Sequence, residues 1–114
     1  MITISGIDPN MIANNLEPYE PTHPGEVLKD EIEYRGISQR KLAAAMDVPY
    51  TLLNEVLNGK RPVNTELALL IEVALDLPAE PLLKMQARYN LIAAKRNAKF
   101  INKLSKIGKV VATL

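Results

Sequence analysis

The sequence predicts an all-α domain built around a helix-turn-helix, with an N-terminal arm before it and a basic C-terminal helical extension after it. Three observations carry this. From residue 24 onward apolar residues recur at spacings of three and four, the period of an amphipathic helix. Capping and breaking residues divide that stretch into five helices joined by short connections. Strand-like alternation is confined to a minor stretch at Ile2–Ile4. A helix with one apolar stripe must bury it on another helix, so five such helices make one all-α core.

Each element has its own local reason. In the arm, Pro9, Pro18 and Pro21 interrupt any long periodic stretch, and Asp8-Pro9 offers a cap followed by a proline, the start of a short helix at Pro9–Asn15. His23-Pro24-Gly25-Glu26 opens the first long helix, with Val27, Leu28 and Ile32 on its inward face, and Gly36 ends it. Ser38 caps the second helix, whose inward residues are Leu42, Ala43 and Met46. Asp47 follows, one of the few non-glycine residues that accepts a left-handed turn. Pro49 suits the first turn of a third helix containing Leu53, Val56 and Leu57 and closed by Asn58-Gly59. Thr65 is the expected cap of a fourth helix carrying Leu67, Leu70, Ile71, Ala74 and Leu75, broken by Leu77-Pro78. The fifth begins around Ala79–Leu82, passes Leu83, Met85, Tyr89 and Ile92, and continues through Phe100, Ile101 and Leu104 to end by Gly108. These boundaries divide the chain into an arm at 1–22, the helix-turn-helix domain at 23–92 and the extension at 93–114.

Composition narrows the function. A chain of 114 residues, 47% apolar and 24% charged, supports one globular core. With no cysteine there is no disulfide, thiolate nucleophile or cysteine-based metal site, and the single histidine, His23, cannot assemble a metal cluster alone. No cofactor is implied. No apolar run reaches the ~20 residues of a membrane helix, and the start Met1-Ile-Thr-Ile-Ser-Gly lacks the basic region and apolar stretch of a signal peptide. The expectation is a soluble cytoplasmic protein with no membrane partner. His23 stands where a helix cap is needed, and Glu26, Asp30, Glu31 and Glu33 complement an N-terminal helix dipole better than they form an acid–base pair. With no phosphate loop and no nucleophile beside a base, an enzyme is not expected.

The net charge of +1 hides an asymmetry. All 13 acidic residues fall within 1–80, which nets −7, while 81–114 holds eight basic residues and no acid, netting +8. Such a division marks a charged partner or a solvated face.

Residues 38–61 have the form of a helix-turn-helix. Ala43 permits close approach of the two helices, Val48 points inward from the turn, and Leu53 and Val56 anchor the second helix. Tyr50, Thr51, Asn54 and Glu55 are left to face outward, as reading a major groove requires. Residues 35–61 net +3 within an acidic body, with Arg40, Lys60 and Arg61 placed for phosphates.

The chain here resembles the lambda-repressor-like (XRE) helix-turn-helix domains, and within them the HigA-type antitoxins of bacterial toxin–antitoxin pairs. The matching landmarks are Thr22-His23-Pro24-Gly25-Glu26, Val48-Pro49, the stretch Asn54 to Arg61, and Met85-Gln86-Ala87-Arg88-Tyr89-Asn90-Leu91, covering roughly residues 20–92 in order. Asp47 and Asp76 stand where the family usually has glycine, and Leu82 where it has tryptophan. The resemblance implies a DNA-binding homodimer that represses its own operon from an inverted repeat of double-stranded operator DNA and neutralises a RelE-like, messenger-RNA-cleaving toxin. An XRE regulator without a toxin, and a protein-interaction module on the same scaffold, are the alternative functions.

The expected DNA-binding residues are Gln39, Arg40, Pro49, Tyr50, Thr51, Asn54, Lys60 and Arg61. Tyr50 either meets a thymine methyl or phosphate or covers the domain's own surface. Asn54 either reads adenine or bonds within its own helix, and Glu55 orients an arginine or stays in water. The dimer interface is expected at Leu67, Leu70, Leu82, Met85, Tyr89 and Ile92. Leu67, Leu70 and Val73 give the fourth helix an apolar excess, to be covered by the tail or by another subunit. The toxin is expected on the acidic arm, through Ile7, Met11, Ile12, Leu16, Glu17, Tyr19 and Glu20, because an RNA-cleaving partner is basic.

Overall fold

The computed structural model describes residues 20–107. Six helices are present among them: α1 (Pro24–Tyr34), α2 (Gln39–Met46), α3 (Tyr50–Leu57), α4 (Thr65–Leu75), α5 (Ala79–Lys95) and α6 (Ala98–Ile107), with no strand. Residues 22–90 form one compact unit, and the described residues from Leu91 onward belong to another. The expected helix at Pro9–Asn15, the stretch Ile2–Ile4, and the arm residues Ile7, Met11, Ile12, Leu16, Glu17 and Tyr19 lie outside the described residues. No described helix is long and apolar enough to cross a membrane.

Within the unit 22–90, α3 packs on both α1 and α2, and α2 packs on α4. Its core joins Leu28 and Ile32 of α1, Leu42 and Met46 of α2, Leu53, Val56 and Leu57 of α3, and Ile71 and Leu75 of α4. Leu82 of α5 belongs to the same cluster. Burying side chains of this kind contributes roughly 1.5–3 kcal/mol each.

The helix ends follow from identifiable groups. His23 caps α1 by accepting the Gly25 N–H at Nδ1, 2.9 Å away, and Ser38 caps α2 through the Lys41 N–H. Gly36 takes φ 69° after α1. Asp47 and Asp76 end α2 and α4 with φ of 54° and 56°, so the two aspartates at the family's glycine positions adopt the left-handed conformation that glycine normally supplies there. Arg35 reinforces the end of α4 from a distance: its Nη1 donates to the Leu75 carbonyl at 2.7 Å while its Nε pairs with Glu31 at 2.8 Å.

Four local expectations are corrected. Val27 is 41% exposed because the inward stripe of α1 runs through Gly25, Leu28 and Ile32, one residue out of phase with it. Pro49 precedes α3 as its cap residue, with extended ψ of 139°. The cap of α4 is Asn64, whose side chain accepts the Leu67 N–H at 2.8 Å, and Thr65 is the first helical residue. The fifth helix does not run on through Phe100. It stops at Lys95, and Asn97 starts a separate α6 by accepting the Phe100 N–H on its side chain at 3.1 Å and the Ile101 N–H on its carbonyl at 2.9 Å. A side chain that offers the backbone this alternative interrupts a helix where apolar spacing alone runs straight through.

Candidate nucleic-acid interface

The candidate surface is built by α2, the turn after it, and α3. Ala43 is 2% exposed at the crossing, and its carbonyl accepts the Val48 N–H at 3.0 Å, which closes a tight left-handed turn and carries the chain into α3. Val48 packs against the core, while Leu53 and Val56 fix the inner side of α3 at 1% and 0% exposure. The opposite side of α3, with Thr51, is thereby turned outward.

Thr51 is exposed on that side, and Tyr50 is half-buried against the core. The Arg40 guanidinium carbon sits 4.3 Å from the Tyr50 ring centroid, an arrangement in which the aromatic face attracts the cation and holds it at the start of α3. Tyr50 thus covers the domain's own surface and supports Arg40. Asn54 is half-buried and engaged on both sides: its Nδ2 donates to Gln39 Oε1 at 3.2 Å, and its Oδ1 accepts from Asn58 Nδ2 at 3.3 Å. Asn58 in turn accepts from Lys29 Nζ at 3.2 Å. Gln39 and Asn54 therefore form one polar pair linking the first residue of α2 to the middle of α3. Glu55 binds Arg61 through Nε and Nη2, each 2.9 Å from Oε2, so the carboxylate holds the guanidinium beside the end of α3. Lys60 is exposed next to it.

A second cluster supports this surface from behind. His23 is 2% exposed, and the Tyr89 ring meets it edge to face with centroids 4.9 Å apart at 76°. Burial lowers the His23 pKa below its ordinary value, opposed by the charge of Glu26 and by a hydrogen bond to the backbone of Arg61. The imidazole is thus held neutral, as it must be for Nδ1 to accept the Gly25 N–H. Gly25 is required by contact: a Cβ there would lie 1.8 Å from the Val56 carbonyl oxygen. Gln86, 5% exposed, accepts the Val63 N–H at 2.8 Å and donates to Asn90 at 2.9 Å. His23, Gln86 and Tyr89 together hold the segment Arg61–Val63 that carries the cations following α3. Sequence reasoning places Gln86 only within a landmark stretch and misses its role, although its place four residues after Leu82 and three before Tyr89 puts a polar side chain on an inward face.

The interface expectations divide. Leu67 and Leu82 are 4% and 6% exposed and belong to the protomer's own core, so neither is available to a partner surface. Ile92 is likewise buried at 2%. Met85 and Tyr89 are half-buried, the latter against His23. The apolar excess of α4 is real but shifted, consisting of Leu69, Leu70 and Val73, because Leu67 turns inward with Ile71 and Leu75. Leu70 and Val73 line a groove of about 410 Å³ with Leu42, Ala45 and Met46. Of the residues expected to meet the toxin only Glu20 falls among the described residues, where it is exposed. No group of three or more histidine, cysteine, aspartate or glutamate side chains is placed to hold a metal among them.

Two short helices joined by a tight left-handed turn, the second with its polar side outward, define a helix-turn-helix protein. A helix-turn-helix family model matches residues 28–82. Virulence-associated protein A' of Dichelobacter nodosus is 35% identical over 72 residues, 62% of this chain and 63% of that protein, so the match leaves over a third of that relative unspanned. Among solved structures, an addiction module antidote protein of a HigA family from Coxiella burnetii is 30% identical with a TM-score of 0.63, over 74% of this chain and 94% of that one. The Pseudomonas aeruginosa antitoxin HigA, solved with the higBA promoter, is 31% identical with a TM-score of 0.64, over 72% and 91%. The chain belongs to the HigA-type antitoxins of the XRE helix-turn-helix family.

Proposed function

We propose that this protein is a sequence-specific DNA-binding antitoxin that represses its own operon as a homodimer and neutralises a RelE-like messenger-RNA-cleaving toxin. The observation that carries the DNA reading is the outward side of α3 on an intact helix-turn-helix, in a chain of which 72% is similar to an antitoxin solved with its promoter. In this reading α3 enters the major groove, with Thr51 and the Gln39–Asn54 pair at base edges. Arg40, held over Tyr50, and Arg61, held by Glu55, meet phosphates together with Lys60. Pro49, the cap residue of α3, lies at the end of that helix that meets the DNA. Two copies then read an inverted repeat, with Leu70 and the partly exposed Met85 and Tyr89 contributing to the contact between them.

The toxin reading rests on charge: residues 1–80 net −7, and a basic ribonuclease is the complementary partner. Co-expression with the protein encoded beside this gene tests it. Full-length protein is expected to restore growth, and a chain lacking residues 1–20 is expected to lose rescue while still binding operator duplex. Rescue by the truncated chain, together with loss of rescue on removing 93–114, would move the inhibitor to the C-terminal extension.

A further inference from the structure

Residues 35–61 net +3, but several of their cations are engaged within the protein. Arg61 is paired with Glu55, Arg35 with Glu31 and the Leu75 carbonyl, and Arg40 is stacked on Tyr50. The first 80 residues net −7, an unfavourable charge with which to approach a polyanion. Residues 81–114 net +8 with no acidic side chain. Within them α6 carries Lys99, Lys103 and Lys106, all exposed, at positions i, i+4 and i+7. That spacing places them in one row along the helix, spanning roughly 10 Å at the helical rise. Phe100, Ile101, Leu104 and Ile107 occupy a separate stripe of α6, 41–57% exposed.

We propose that the lysine row of α6 is a second DNA-contacting surface, binding the phosphate backbone of duplex DNA. The inference rests on the DNA-binding reading above and adds a contact that the helix-turn-helix does not contain. Duplex DNA presents about one negative charge per 1.7 Å of axis, so a row of lysines meets phosphates without needing a shaped pocket, and each contact releases condensed counterions. The clamp acts on every sequence alike. It raises affinity and encounter rate, and leaves discrimination to α3. An acidic protein would instead anchor on the apolar stripe and use lysines only at its rim, so the two faces of α6 separate the partners experimentally.

The test uses the full chain and two variants, Lys99→Gln/Lys103→Gln/Lys106→Gln and Phe100→Ser/Leu104→Ser. Each is titrated onto operator duplex and onto a scrambled duplex of equal length between 50 and 200 mM salt. All substituted side chains are exposed, and thermal melts by circular dichroism verify that each variant folds as the wild type does. The lysine variant is expected to reduce the magnitude of the slope of log K against log salt by about 2.7 per bound protomer, or about 5.4 for a dimer, at about 0.9 per phosphate contact, equally on both duplexes. The stripe variant is expected to keep the wild-type slope. An unchanged slope in the lysine variant overturns the inference while wild-type discrimination between duplexes leaves the DNA-binding reading intact. Loss of binding in the stripe variant alone overturns it in favour of a protein contact. A wild type that binds neither duplex overturns both.

Discussion

Gly25→Ala tests the packing that positions α3. The added methyl would lie 1.8 Å from the Val56 carbonyl oxygen, 2.7 Å from its carbon and 2.9 Å from His23 Nδ1. Backbone atoms cannot rotate out of the way, so restoring an ordinary 3.4 Å contact requires the start of α1 to retreat from the end of α3 by about 1.6 Å. That movement loosens the packing of α1 on α3, and the added methyl, 2.9 Å from Nδ1, pushes His23 off the Gly25 N–H. Overpacking against a core typically destabilises by ~1–3 kcal/mol. Loss of an N-cap adds ~0.5–2 kcal/mol. Together they give a destabilisation of roughly 1.5–5 kcal/mol, which for a domain of this size lowers Tm by at least about 6 °C. Gly36→Ala is the control. Nothing lies within 4 Å of a Cβ there, and only the φ of 69° opposes it, an effect of ~1–2 kcal/mol. Urea unfolding followed by circular dichroism measures both. A Gly25→Ala loss below ~1 kcal/mol, or one no larger than that of Gly36→Ala, would refute the close approach of α1 and α3.

Three further outcomes are expected. Stability should be fullest above the ordinary histidine pKa near 6.5 and decline as pH falls toward the lowered folded value, because the unfolded chain takes up a proton that buried His23 resists; melts at pH 7.5 and 5.5 should lose this difference in His23→Gln. Glu55→Gln releases Arg61 and removes an anion from the α3 side, so operator affinity should rise at low salt while unfolding free energy changes by less than ~1 kcal/mol, since the pair is half exposed; weaker binding measured by anisotropy would mean that Glu55 orients Arg61 productively. Asn54→Ala should weaken the cognate site by ~1–3 kcal/mol and relax discrimination, whereas Lys60→Ala should weaken operator and scrambled duplex equally; equal losses for both variants in a competition titration would remove Asn54 from base reading.

The parts of this fold legible in the sequence are those decided within one or two helical turns. His23, Ser38, Gly36 and Asp47 mark helix ends because their own side chain or φ preference suffices, and the structure places each at such an end. Val27 and Leu67 show the limit of periodicity: a spacing of three or four defines a stripe, but a residue's place at its edge depends on which neighbour helix lies opposite. Asn97 was hidden because Ile92, Phe100, Ile101 and Leu104 keep a helical spacing straight through the break. The least legible features are polar contacts between distant segments. Arg35 reaches the Leu75 carbonyl across 40 residues, and Gln86 reaches the Val63 N–H across 23. On the candidate interface, residue types showed Tyr50, Asn54 and Glu55 at the right positions, yet only the packed structure shows that Tyr50 carries Arg40, Asn54 is tied to Gln39, and Glu55 holds Arg61.

A footprint of the full-length protein on the promoter upstream of its own gene tests the central claim most directly. The account predicts protection of two inverted half-sites with centres about one helical turn, or a small multiple of it, apart, with scrambled duplex bound at least ~1,000-fold more weakly at physiological salt. Equal, salt-labile binding to promoter and scrambled DNA, with no protected half-sites, would contradict it.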